Sequence, residues 1–330
     1  MDRIAIIGLG FIGASIGYTL RLNHGKRYHV VGFDYDSKTQ QKADKTGALD
    51  ESTWALGDAV RDADIIVIAT PAAAAKDLFA DIANDLKPGA VVTDTTSTAG
   101  TITGWAEEYL PNSVGFVSGH PLVSGVGIDE ANGAVFEGKR WALAPTAAAP
   151  QDAVRRTIRL VEHLGAKPFF ISVEEHDSYV AAATNLPIVV SNAMMLAAAR
   201  SPSWREIGKF ATDQFGEVSS ASRFNPDINI GSLTGNTEMT IHWIDQMIIE
   251  LADFRVMLED ESCADPDSPL IETLNDAWDA RLRWENGIEP GVIERPALPT
   301  SGDMMLGVLV GHHVAERLRG IRDRSRQQDY

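Results

Sequence analysis

Three glycines near the start of the chain, Gly8, Gly10 and Gly13, stand in the run Gly8-Leu9-Gly10-Phe11-Ile12-Gly13, between an apolar stretch and a segment of helical composition. Glycines so spaced between a strand and a helix do anion chemistry. Gly8 permits a tight turn, Gly10 lets a pyrophosphate approach the backbone, and Gly13 lets the helix pack closely on its strand. Phe11 and Ile12, at the start of that helix, bring their free N–H groups and the positive end of the dipole to the anion. A second apolar run, residues 29–33, ends in Asp34, about 20 residues on, where a carboxylate accepts hydrogen bonds from ribose hydroxyls. No arginine follows within Tyr35-Asp36-Ser37 to welcome a 2′-phosphate. The pattern predicts NAD as cofactor, not NADP.

Other reactive side chains close later apolar runs. Thr70-Pro71 ends residues 63–69, Thr93-Asp94-Thr95-Thr96-Ser97-Thr98 ends residues 90–92, and His120-Pro121 ends residues 115–119. Each run reads as a buried strand, and open α/β sheets bind ligands outside the carboxyl ends of their strands. Hydroxyls and one imidazole therefore gather on the rim that carries the glycine loop. A histidine with an ordinary pKa accepts a proton at neutral pH.

Positioning these groups calls for a Rossmann-type, doubly wound α/β sheet over residues 1–172. Its strands run from the first residues through 167–171, with helices between, among them 72–86, 102–110 and 151–164. From residue 173 the strand signals stop. Helical blocks at 174–199, 204–214, 237–260, 271–284 and 304–322 carry broad Ala, Met and Ile faces that must be buried against one another or a second subunit. Residues 173–330 thus read as an all-helical substrate and dimerisation domain, with a proline-bearing arm at 286–302 and a tail from Arg322. His176-Asp177 reads as a helix start, since two residues cannot close a metal shell.

The chain has 29 basic against 46 acidic side chains, a net charge of −17, which excludes nonspecific binding to nucleic acid or to an anionic membrane. One cysteine, Cys263, allows no intrachain disulfide and fits a reducing cytoplasm. No signal peptide is evident, and no apolar stretch is expected to reach the roughly 18 residues of a membrane span.

The motifs in order, from the glycine loop and Asp34 through Ala69-Thr70-Pro71, Thr93 to Thr98, Gly119-His120-Pro121, Phe136-Glu137-Gly138-Lys139, Glu175-His176-Asp177, Asn185-Leu186-Pro187, Ser222-Arg223 and Asn236, span about three quarters of the chain. In this the chain resembles the prephenate/arogenate dehydrogenase family. The resemblance implies NAD-dependent oxidation of a cyclohexadienol carboxylate, with loss of CO2 and an aromatic product, as in tyrosine biosynthesis. It implies His120 as proton acceptor, Ser97 as the hydroxyl that positions it, Arg223 as a bidentate fork for a substrate carboxylate, and Thr184 and Asn185 beside the substrate. Many relatives carry Ser-His-Leu-Pro-His where this chain has Thr184-Asn185-Leu186-Pro187-Ile188, so both imidazoles are replaced. Two alternatives stand beside this reading. One is a dehydrogenase of the same architecture on a hydroxy acid or an amino analogue of prephenate. The β-hydroxyacid dehydrogenases use a lysine in the first interdomain helix, and residues 177–199 contain none. The other is a nucleotide-sensing protein without turnover.

Overall fold

The computed structural model describes residues 1–288, except Ser124, Val126, Phe224 and Asn225. The expected helix at 304–322 and most of the 286–302 arm lie outside the described residues.

The first run, β1 (Asp2–Ile7), is apolar and buried from Ile4 to Ile7 because both of its faces are covered there. Ile4 and Ile6 point into one core layer, and Ala5 and Ile7 into the other. Helices α1 (Phe11–His24), α2 (Ser37–Thr46) and α6 (Gln151–His163) close the first layer, and α3 (Leu56–Val60), α4 (Ala72–Ile82) and α5 (Ala99–Tyr109) the second. Between them lies an eight-stranded sheet of order β3-β2-β1-β4-β5-β6-β7-β8. Its other strands are β2 (Tyr28–Phe33), β3 (Glu51–Ser52), β4 (Ile65–Ile68), β5 (Val91–Asp94), β6 (Gly115–Pro121), β7 (Arg140–Ala144) and β8 (Lys167–Phe170). All pairings are parallel except β6 with β7. The strand β3 and helix α3 were not foreseen. Two polar residues and a five-residue helix are too short to show a period.

The chain order reverses direction between β1 and β4, which opens a crevice at their carboxyl ends. Gly8 follows one strand and Ala69-Thr70 the other, and Ala69 N donates to Ile7 O across the gap at 2.7 Å.

Beyond Ser172, which caps α7 (Val173–Val180), the chain is helical. A π-helical turn, Ala181–Asn185, joins α7 to α8 (Leu186–Ala199), and the shifted register accommodates Pro187. Then come α9 (Trp204–Ile207), α10 (Asp213–Val218), α11 (Pro226–Gly235), α12 (Thr237–Glu259) and α13 (Pro269–Glu285). Helix α11 was missed, because Pro226, Gly231 and Gly235 give it the composition of a loop. The compact units divide after Thr240: residues 1–240 form one, and the rest of α12 with α13 begins the other. In the second unit Ile249 is buried with Ile248 and Ala252, and Ser268 caps α13.

Val173–Ala199 forms one continuous helical stretch whose apolar window has a mean hydropathy of 1.5 and is 22% buried. By length and composition alone it could cross a membrane, contrary to the expectation that no stretch would. Its own polar contacts speak for a protein-covered face: Asn185 and Ser191 are buried and hydrogen-bonded to neighbouring segments.

Candidate active site

The glycine loop is built so that only glycine fits at two of its positions. Gly8 has φ +94°, and a Cβ there would lie 2.6 Å from Ala69 O; a Cβ on Gly13 would lie 1.9 Å from Gly8 O. Around Gly10 the described atoms leave the Cβ direction open to 4 Å. Asp34 braces the loop from the end of β2, its Oδ2 accepting from Leu9 N at 2.7 Å and its Oδ1 from Asp36 N at 2.8 Å. Each oxygen keeps a lone pair for a ribose hydroxyl. Across the crevice the Thr70 hydroxyl is buried and, among the described residues, has no hydrogen-bond partner, as do those of Thr93 and Thr98. A buried unpaired hydroxyl costs about 1–3 kcal/mol, so that of Thr70, just past the end of β4, fits a site completed by a polar ligand.

The wall opposite is made of side chains. Asp94, at the end of β5, is fully buried; it accepts from Thr96 N at 2.9 Å, Thr96 Oγ1 at 2.6 Å and Gly119 N at 3.1 Å. It thereby ties the loop 95–98 to the residue before His120. Burial pushes its carboxyl above the ordinary carboxylate range.

His120 is held by a residue read from sequence as part of a helix start. Its Nδ1 lies 3.1 Å from His176 Nε2, and His176 Nδ1 lies 2.9 Å from Asp177 Oδ1. Asp177 also caps α5, accepting from Ala99 N and Gly100 N at 2.9 Å each. A side chain on Gly100 would meet Asp177 Oδ2 at 2.8 Å. Asn236 Nδ2 donates to Asp177 O and holds the start of α7 in place. The carboxylate sets the order of protons: it takes Nδ1–H of His176, whose bare Nε2 takes Nδ1–H of His120. That leaves Nε2 of His120 unprotonated. His120 as a residue keeps some accessible surface, yet its ring is packed densely enough that desolvation, with His176 beside it, lowers its pKa to about 3. Asp177 opposes that shift.

Ser97, expected to position His120, meets a second hydroxyl. Its Oγ lies 3.2 Å from Ser232 Oγ on α11, and Ser232 Oγ donates to Asn185 Oδ1 at 2.5 Å. Asn185 in turn donates to Ser232 O at 3.2 Å and to Thr240 Oγ1 at 2.9 Å. Asn185, expected beside the substrate, is wholly buried with its amide engaged on both atoms. Thr184 is exposed on the π-helical turn, and Arg223 is exposed on the short turn Ser220–Arg223 that packs against α8. The residues that sequence reasoning missed are His176, Ser232 and Thr240; the only signal available was the motif Glu175-His176-Asp177.

Comparison with known proteins decides the family. The family model "Prephenate dehydrogenase, nucleotide-binding domain" matches residues 16–169, and "Prephenate dehydrogenase, dimerization domain" matches residues 172–275. The chain belongs to the prephenate dehydrogenase family. It is similar to the prephenate dehydrogenase of Bacillus subtilis, 26% identical over 79% of this chain and 71% of that protein. It is also similar to the cyclohexadienyl dehydrogenase of Zymomonas mobilis, 25% identical over 85% of this chain and 95% of that one. The fold matches a solved prephenate dehydrogenase from A. aeolicus, in complex with hydroxyphenyl propionate and NAD+. The TM-score is 0.78 and the identity 22%, over 86% of this chain and 98% of that one. This family member is an NAD-dependent dehydrogenase, with an N-terminal Rossmann-type domain and a helical dimerisation domain. The reading as a nucleotide sensor without turnover finds no support there.

Proposed function

We propose that the chain catalyses oxidative decarboxylation of a cyclohexadienol carboxylate in aromatic amino acid biosynthesis, with His120 as the base at the ring hydroxyl. The carrying observation is the 3.1 Å contact between His120 Nδ1 and His176 Nε2; with His120 Nδ1–H as its donor, Nε2 of His120 is the acceptor. NAD, when bound, accepts hydride from the hydroxyl-bearing carbon. Gly8, Gly10, Phe11, Ile12 and Gly13 hold its pyrophosphate, Asp34 its ribose, and Thr70-Pro71 borders it. As the hydroxyl becomes a carbonyl its proton passes to His120 Nε2. Loss of the ring carboxylate then restores aromaticity, which drives the sequence forward.

In this reading Arg223 pairs with a substrate carboxylate through its planar fork, and exposed Thr184 lies near the substrate. Ser97 borders the reacting end, steadied by Ser232 and Asn185. The dividing line at 172/173 separates cofactor chemistry from substrate holding. The apolar face of Val173–Ala199 meets a second copy of the chain, in a homodimer working in the cytoplasm. The substrate is a small carboxylate; neither nucleic acid nor membrane enters.

The deciding experiment incubates purified protein and NAD separately with prephenate, arogenate and 4-amino-4-deoxyprephenate, and follows NADH absorbance and the aromatic product. One of the three yields both NADH and the aromatic acid. NADH without CO2 release, or none with any of the three, defeats the reading. Light scattering at micromolar concentration returns twice the chain mass of 35.7 kDa if the dimer is right.

A further inference from the structure

A histidine as densely packed as His120 is a poor resting place for a proton, yet the reaction delivers one to it. The residues behind it supply the remedy. His176 is 3% exposed, its Nε2 faces His120 Nδ1 at 3.1 Å, and its Nδ1 faces a carboxylate at 2.9 Å. That carboxylate is fixed: Asp177 is locked by two N–H groups at the start of α5, where the helix dipole also favours negative charge.

We propose that His176, backed by Asp177, is a positioning residue that takes over the proton accepted by His120. The inference rests on the reading of His120 as the base. As the substrate O–H bond breaks, its electron pair forms the carbonyl while hydride leaves the carbon, and a bond forms between the proton and His120 Nε2. The His120 Nδ1–H bond then breaks and an His176 Nε2–H bond forms. His120 ends neutral in its other tautomer, and His176 ends as an imidazolium against Asp177. The positive charge thus comes to lie beside the one carboxylate arranged to receive it, not on the ring that burial keeps neutral. After product leaves, the proton returns through His120, whose ring reaches the surface of the site. The ionisable groups acting on His120 are His176 and Asp177.

The test compares His176→Gln with the unmutated enzyme on whichever cyclohexadienol it turns over. Glutamine still accepts from His120 Nδ1–H, so it preserves the tautomer and the contact, but it cannot hold a proton. The expected result is a kcat lower by about tenfold or more, an acid limb of the kcat–pH profile displaced to lower pH, and an unchanged Kd for NAD. The limb moves down because the imidazole that takes over the proton has gone. Asp177→Asn is expected to move the limb the same way. A kcat within twofold of the unmutated value, or an unmoved acid limb, overturns the proposal. His120→Asn is run beside them. If it keeps normal turnover, the base assignment falls with the relay; if it is inactive while His176→Gln is normal, only the relay falls. Should His176→Gln fail to fold, 15N NMR of histidine-labelled unmutated protein decides: His176 is expected to take up a proton at higher pH than His120, and the reverse order refutes the inference.

Discussion

The two sides of the crevice are made in different ways. On the cofactor side the partners are mostly backbone and near in sequence: Leu9 N to Asp34 spans 25 residues, Asp36 N to Asp34 spans two. On the proton side the partners are side chains far apart, with 56 residues from His120 to His176, 47 from Asn185 to Ser232 and 135 from Ser97 to Ser232. The first kind of site needs residue types that satisfy a backbone demand, such as a left-handed φ or a close approach. The second needs only that two distant side chains be brought together by the fold. A mutation on one side therefore leaves the other side's function nearly intact, and this separation can be tested.

The largest effect expected is from His120→Asn. A base that acts mainly in the transition state contributes about 10² to 10⁴ in rate, so kcat is expected to fall by that factor while the Kd for NAD stays within a few-fold. Stopped-flow NADH formation and a binding titration measure the two. A matching loss of NAD affinity would show that the two sides are one mechanical unit.

The converse substitution, Asp34→Ser, tests the cofactor side. It removes a charged acceptor for the ribose hydroxyls and the repulsion of a 2′-phosphate, each worth about tenfold or somewhat more, so the preference for NAD over NADP is expected to shrink by about 10². The kcat with saturating NAD is expected to be little changed. Equal use of NAD and NADP by the unmutated protein would remove Asp34 from its role.

This division explains what was legible. The glycine spacing and Asp34 announce their site because any other residue at Gly8 or Gly13 collides with backbone. The strand ends carrying Ser97 and His120 were readable from apolar runs buried on both faces. The partner of His120 was not: the motif Glu175-His176-Asp177 looks like any capped helix start, and Ser172 with Glu175 does form a capping box there. Asn185 shows the same limit. Its place in the motif pointed to the substrate; its hydrogen bonds to Ser232 and Thr240 were not readable, because nothing local in sequence indicates that a loop-like segment would fold as α11 and deliver Ser232 to it.

A smaller effect, on stability and not on rate, sharpens the contrast. His120 is held neutral in the folded state, whereas its unfolded pKa lies near 6.5, so the unfolded chain binds more protons between about pH 6.5 and about 3. Stability contributed by this group is full above pH 6.5 and declines as pH falls through that window. Asp94 has the opposite sign: with its folded pKa raised, the folded state holds more protons above the ordinary carboxylate range, and stability falls as pH rises there. Thermal melts between pH 7 and pH 4.5 are expected to show a smaller loss of Tm for His120→Asn than for the unmutated protein. An equal loss would place the acid sensitivity elsewhere.

The smallest effect concerns substrate choice, where Ile188 occupies the position of an imidazole in many relatives. Ile188 is half-buried in the first turn of α8, three residues past the π-helical turn that carries exposed Thr184. An apolar group cannot pair with a carboxylate, and a buried partner lost in this way costs about 1–3 kcal/mol, or roughly 10- to 100-fold in kcat/KM for a substrate that needed it. Weak activity on prephenate is therefore expected, with the accepted substrate differing at the side chain that prephenate carries as a pyruvyl group. Ile188→His is expected to improve kcat/KM for prephenate several-fold, less than the full loss, because Asn185 stays locked to Ser232 and Thr240 and the second imidazole is not restored. Arg223→Ala is expected to raise KM for either substrate, since the fork serves a carboxylate common to both. If the unmutated enzyme turns over prephenate at about 10⁴ M⁻¹s⁻¹ or faster, the imidazoles were dispensable to begin with, and the helical side reads its substrate through Arg223 and Thr184 without them.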